Sequence, residues 1–179
     1  LVTDDTIWRI YSMTKPITGV ALMSLYEKGV FQLDDPVHRW IPEWRGMKVE
    51  ERADDGTTRL VDPVRPVSVK DALMHMTGFG MGTLSLEVDA QGRGFLDGDH
   101  TLETFCAGLG ERHLAHHPGT RWIYGVSTDV CARLVEAMSG QRFDDYLRDT
   151  IFEPLGMTDT SFHVPDDKVD RFAASYGRA

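Results

Sequence analysis

The chain has 179 residues, 41% of them hydrophobic, and a formal net charge of −9. That length suits one domain, or a large part of one, with enough apolar content for a core. The acidic balance and the lack of a basic run argue against a nucleic-acid partner, and no apolar stretch approaches the length of a membrane span.

Ile7-Trp8-Arg9-Ile10 reads as an extended run, and it gives way at Ser12 to a helical one. From Ile17 to Leu25 the residues are almost wholly apolar, and such a helix belongs in a core rather than on a surface. Gly29 supplies its stop. Ser12 and Lys15, at i and i+3, then share one face of the first helical turn. Pro16 suits an early helical position, where a missing N–H costs little. Leu33-Asp34-Asp35-Pro36 turns the chain, and Val37 to Trp44 is a short helical or irregular segment broken at Pro42. Residues 47–53 and 58–64 read as two strands of a charged edge hairpin around Asp54-Asp55-Gly56-Thr57, with Asp-Gly as the turn signal.

Ser68 is a good N-cap for the next helix, and Asp71 completes a weak capping box. Ala72, Leu73 and Met76 would face inward, and Gly78 would end this helix. Residues 78–100 are rich in glycine with little periodicity, which fits either a mobile cover over a site or a plain surface excursion. Thr101 caps a short helix through Phe105, Cys106 and Leu109. His113, His116 and His117 invite a metal reading, but no Cys, Asp or Glu falls at a ligand spacing nearby, so a solvated loop is the default. After Arg121-Trp122-Ile123-Tyr124-Gly125 a helix begins, with Ser127 or Thr128 as cap and Asp129 at its positive end. Val130, Leu134, Val135 and Met138 form its buried stripe and Gly140 stops it. A last helix carries Phe143, Tyr146, Leu147 and Ile151 and ends before Pro154. Beyond Phe162 the pattern fades. The two cysteines form no framework; Cys131 lies on an apolar stripe and reads as core, with a disulfide to Cys106 left open. Leu1 is not a methionine and the Ser-Lys pair follows almost at once, so the chain reads as an internal piece of a longer protein, and its compartment is left open.

The pairing of Ser12 with Lys15 has a chemical logic. A serine hydroxyl is a weak nucleophile until a base takes its proton, and a lysine can be that base only as a neutral amine. Burial at the mouth of an apolar helix favours the neutral form, and the helix N-terminus favours an oxyanion beside Ser12. The bland alternative is a capping serine beside a solvated lysine, and the strand-like run before the pair and apolar helix after it weigh against that. Tyr124, taken by itself, reads as a core aromatic in a Trp-x-Tyr run.

Five stretches together resemble one family. Tyr11-Ser12-Met13-Thr14-Lys15-Pro16 looks like the first motif of the serine β-lactamase-like superfamily, where S-x-x-K carries the nucleophile. Leu33-Asp34-Asp35-Pro36-Val37 and Leu73-Met74-His75-Met76-Thr77-Gly78 agree with it. So do Pro118-Gly119-Thr120-Arg121-Trp122-Ile123-Tyr124 and the run from Phe152 to Thr160. Their order and spacing resemble the branch holding class C β-lactamases, D-alanyl-D-alanine carboxypeptidases and family VIII carboxylesterases, over nearly the whole chain.

The resemblance implies an α/β (α+β) serine β-lactamase-like fold, present as its mainly helical region in one incomplete domain over residues 1–179. It implies Ser12 as the acylated nucleophile, Lys15 as its partner in proton transfer, and Tyr124 as general base and then acid to the leaving group. A phenol, normally near pKa 10, needs an adjacent cation to act near neutral pH, and Lys15 is the candidate. The Ser12 backbone N–H should supply one oxyanion donor. The substrate would be a small ester or amide, with no metal or cofactor required.

Two departures refine this. Many relatives in that branch carry Tyr-x-Asn, whereas here the third position is Val126, which cannot hydrogen-bond an amide; this tilts the expectation towards small esters. The family's N-terminal strands and its third motif, a Lys-Thr-Gly-like triplet on an edge strand, are absent, and that strand normally gives the second oxyanion donor. The leading expectation is a carboxylesterase. A β-lactamase or D-Ala-D-Ala carboxypeptidase follows it, then a non-catalytic relative that binds acyl or peptidoglycan-like ligands. Residues 1–179 alone are expected to be inactive and poorly stable.

Overall fold

Helix α4, Ser127–Ser139, is the element on which the other helices assemble. The computed structural model describes residues 2–53, 55–80 and 100–175. In chain order the helices are α1 (Thr14–Glu27), α2 (Val69–Leu73), α3 (Leu102–Gly110), α4 and α5 (Phe143–Leu147). Between α1 and α2 lies the antiparallel pair β1 (Val49–Arg52) and β2 (Thr58–Val61), in register from Val49 opposite Val61 to Arg52 opposite Thr58. Helix α4 packs against α1, α2, α3 and α5. Its inward residues Val130, Leu134 and Val135 are fully buried, as are Ala21 and Leu22 of α1. Burying each large aliphatic side chain of this α1–α4 seam contributes about 1.5–3 kcal/mol.

Two polar contacts are built into this core. The Trp44 indole N–H donates to the Cys106 carbonyl at 2.8 Å, and the Tyr146 and Ser24 hydroxyls lie 2.8 Å apart. Cys106 and Cys131 are both buried and both free thiols, which closes the disulfide left open by the sequence. Burial pushes the Cys131 thiol up to about 12, so it is inert packing.

The hairpin, the capping box at Ser68, the cap at Thr101 and the left-handed stop at Gly140 (φ 72°) form as the residue pattern predicts, and Thr104 extends the Thr101 cap into a box. Four expectations are corrected. The run at Ile7–Ile10 is no strand: Ile7 makes an isolated parallel bridge with Phe172, and Ile10 is already helical. Helix α1 is buried on one side only, through Thr18, Ala21, Leu22 and Leu25, while Val20 is 57% exposed. Helix α2 stops at Leu73, well before Gly78, because the His75 and Met76 carbonyls accept from Ile123 and Gly119 instead of continuing the helix. Neither Ser127 nor Thr128 caps α4: the Val126 carbonyl already accepts from Val130 at 3.1 Å, so the helix begins one residue early and Ser127 is buried within its first turn.

The helix after α4 is compound. Beyond α5 the chain widens into a π turn over Arg148–Phe152, with the Glu153 amide donating to Arg148 at 2.9 Å. The stretch past Phe162, where the sequence pattern fades, is held by ion pairs. Arg171 bonds Asp159 and Asp5, and Lys168 bonds Asp159 at 2.8 Å. The hydrogen bonds from Arg171 and Lys168 hold the Asp159 carboxyl at about 2. The glycine-rich stretch expected to be a cover or a surface excursion lies, from 81 to 99, outside the described residues. Among the described residues no helix is long and apolar enough to cross a membrane.

Candidate active site

Ser12 sits on a tight 3-10 turn, Tyr11–Met13, that runs directly into α1. Tyr11, just before it, has φ 44°, a left-handed conformation that non-glycine residues seldom adopt. The turn raises Ser12 at the tip of α1, and Lys15 follows on the helix. Lys15 Nζ lies 3.0 Å from the Ser12 hydroxyl, as the i, i+3 spacing predicts.

Tyr124 arrives from a different part of the chain. Its segment carries no regular structure and precedes α4 by two residues. Four backbone hydrogen bonds tie the run 115–123 to 75–78. Ala115 and His116 donate to the Gly78 carbonyl at 2.9 and 3.0 Å, Gly119 donates to Met76 at 2.8 Å, and Ile123 donates to His75 at 2.9 Å. Gly78 is required there: its φ is 99°, and a Cβ would collide with the His116 carbonyl oxygen. Asp71 anchors the same region. Arg65 grips it at 2.5 and 2.8 Å, and the Ser68 amide and hydroxyl each donate to it at 2.8 Å. Burial alone would raise the Asp71 carboxyl, but the Arg65 and Ser68 donors hold it below its ordinary value.

This scaffold delivers the Tyr124 hydroxyl to 3.4 Å from the Ser12 hydroxyl, with the Lys15 nitrogen 5.0 Å from the centre of the Tyr124 ring. The three residues singled out in the sequence therefore meet. Hydrogen bonding with Lys15 and then with Ser12 lowers the Tyr124 phenol below its ordinary value. The setting differs from the expected buried helix mouth. Ser12 is exposed and Tyr124 is 48% exposed, because α1 turns only one side to the core. Tyr11 and Met13, which flank Ser12 in the chain, and Trp122, two residues before Tyr124, are exposed as well. Val126, the third position of the Tyr-x-Val run, is buried at the start of α4 and presents nothing to a substrate.

His75 was not singled out as a site residue, although it stands in one of the five family-like stretches. Its ring stacks on Tyr124 at 5.2 Å between centroids and 21° between planes. No local spacing signals this contact, since the two residues meet only through the 75–78 and 115–123 pairing. Of the three histidines that invited a metal reading, His116 and His117 have partners nearby. The Val64 amide donates to His117 Nδ1 at 3.3 Å, so Nε2 carries the proton towards Glu51 at 3.0 Å, and His116 Nε2 lies 3.4 Å from Arg121. Among the described residues no cluster of His, Cys, Asp or Glu could hold a metal.

The family model described as Beta-lactamase matches residues 1–179. Esterase EstB of Burkholderia gladioli is 33% identical over 178 residues, covering 97% of this chain and 42% of EstB. The solved structure of EstCE1, "a hydrolase with promiscuous acyltransferase activity", superposes with a TM-score of 0.74 at 26% identity, over 97% of this chain and 44% of that one. A beta-lactamase/D-alanine carboxypeptidase from Yersinia pestis shares the fold, with a TM-score of 0.72 at 21% identity over 97% of this chain and 45% of that one. The chain thus spans less than half the length of the relatives it matches. With a family match from end to end and that fold in common, this chain belongs to the beta-lactamase family of serine hydrolases and carries part of its serine β-lactamase-like fold.

Proposed function

We propose that this chain carries the acylation site of a carboxylesterase acting on small esters. The observation that supports it is the convergence of Ser12, Lys15 and Tyr124 on one hydroxyl. The Tyr124 phenolate, stabilised by the Lys15 ammonium, takes the Ser12 proton as Oγ bonds to the ester carbonyl carbon. The carbonyl oxygen becomes the oxyanion, held by the Ser12 N–H. Collapse breaks the bond to the alcohol, which leaves with the proton from Tyr124. Water, deprotonated by Tyr124, attacks the acyl carbon, and as the bond to Oγ breaks Tyr124 returns that proton to Ser12 and the acid is released. A second oxyanion donor would come from a strand outside residues 1–179, so these residues alone are expected to turn over little ester.

Buried Val126 favours an ester over a β-lactam or a D-Ala peptide, because no side-chain amide stands at that position to bind the substrate's own amide. The similarity to EstB and EstCE1, named as an esterase and a hydrolase, points the same way. The test is hydrolysis of a p-nitrophenyl ester by the full polypeptide. Ser12→Ala should lower the rate by roughly three orders of magnitude or more. Unchanged turnover in that variant would end the reading. Faster turnover of a chromogenic cephalosporin than of the ester would replace it with a β-lactamase. Neither turnover nor labelling by a fluorophosphonate would point to a ligand-binding relative.

A further inference from the structure

Two non-glycine residues among those described have positive φ, and both flank the site: Tyr11 at 44° beside Ser12, and His75 at 56° against Tyr124. Strain of this kind persists only where the surroundings demand it. At His75 the demand is visible. Its carbonyl is bonded to the Ile123 amide at 2.9 Å, and its ring lies nearly parallel to the Tyr124 ring. Trp122, on the other side of Ile123, approaches the His75 ring at 6.1 Å between centroids. The imidazole thus faces both aromatic side chains of the segment that ends at Tyr124. Its Nδ1 is buried and has no hydrogen-bond partner. Hydrogen bonding by that nitrogen does not explain the placement of the ring; stacking does.

We propose that His75 is a positioning residue for Tyr124, a flat wall that holds the phenol oxygen at Ser12 and Lys15. This rests on the reading of Tyr124 as the proton carrier. A phenol on an irregular segment, half exposed, has free rotation about its side-chain bonds unless one ring face is blocked. Tyr124 meets Ser12 at 3.4 Å, the outer edge of a hydrogen bond, so a small swing would break the contact. An offset or parallel ring at this separation supplies the restraint through its face. Burial, and then the charge of Lys15, keep the His75 imidazole below its ordinary value, so near neutral pH it adds no second cation beside Lys15.

The test compares His75→Phe, which keeps a flat ring, with His75→Asn, which keeps a residue tolerant of positive φ and removes the ring. Both are made in the full polypeptide. Two readouts are taken: kcat and KM on a p-nitrophenyl ester, and the ionisation of Tyr124 followed by phenolate absorbance against a Tyr124→Phe reference. In His75→Asn, kcat should fall about 10- to 100-fold with KM changed less than about threefold, and the Tyr124 titration should move up towards an ordinary phenol. His75→Phe should restore both. If His75→Asn does not fold, His75→Gly, which adopts positive φ freely, replaces it as the ringless variant. Ringless variants with unchanged kcat and titration would overturn the proposal, as would a His75→Phe as impaired as they are. If the wild type hydrolyses no ester, the esterase reading fails while the titration still decides whether His75 positions Tyr124.

Discussion

The Tyr124 hydroxyl stands 3.4 Å from the Ser12 hydroxyl although 112 positions of chain separate them. Lys15, one helical turn beyond Ser12, brings its charge to the same place from the nucleophile's side. The first pairing is long-range and the second local, and the proposed chemistry needs both.

Tyr124→Phe removes the proton carrier and leaves the ring stack. We expect ester hydrolysis to fall by about two to four orders of magnitude, the usual worth of a general base, with the melting temperature close to wild type. A rate within about threefold of wild type in steady-state assays would show that another group accepts the Ser12 proton.

The pH profile follows from the lowered phenol. Tyr124 acts as a base once ionised, so kcat/KM should rise with pH along a limb whose midpoint lies below the ordinary phenol value of about 10. Lys15→Met removes the hydrogen bond and charge that stabilise the phenolate, so the limb should shift upward towards about 10. Equal midpoints in the two profiles would disprove this coupling.

Asp71 tests the scaffold rather than the chemistry. It is buried and accepts from Arg65 and from both donors of Ser68. Asp71→Ala should cost about 2–3 kcal/mol in denaturant unfolding, the worth of hydrogen bonds to a charged group. Because the folded-state value is depressed, this stabilisation is complete above the unfolded value of about 4 and is lost as pH falls further, through the folded-state value. Unfolding curves of wild type and variant should therefore converge in strong acid and stay apart at neutral pH.

Gly78→Ala introduces a methyl group into the His116 carbonyl at a backbone angle that alanine avoids. We expect a loss of about 2 kcal/mol or more in stability, and with it a weakened pairing of 75–78 with 115–123. Since that pairing carries Tyr124, phenolate titration in this variant should move up as well. Stability and titration equal to wild type would mean that the backbone approach at Gly78 is dispensable.

Local spacing determined much of this protein in the sequence alone. The Ser12–Lys15 contact follows from helical geometry, and the hairpin from Asp55-Gly56 between its strands. The capping box at Ser68, the cap at Thr101 and the stop at Gly140 follow from residues that act within a few positions of themselves. One local signal failed because a distant partner had taken over: α2 ends early because residues near position 120 claim its next carbonyls. The cap expected at Ser127 failed for a local reason, since the Val126 carbonyl starts α4 one residue earlier.

The position of Tyr124 was decided only by the tertiary structure. Its own segment has no periodicity and would read as core, yet its side chain is half exposed beside Ser12. Packing of α1 on α4 and the backbone pairing at Gly78 bring it there, and the same pairing sets His75 against its ring. Contacts between residues so far apart are chosen by how buried faces and backbone donors are satisfied together, and no short stretch of residues contains that information.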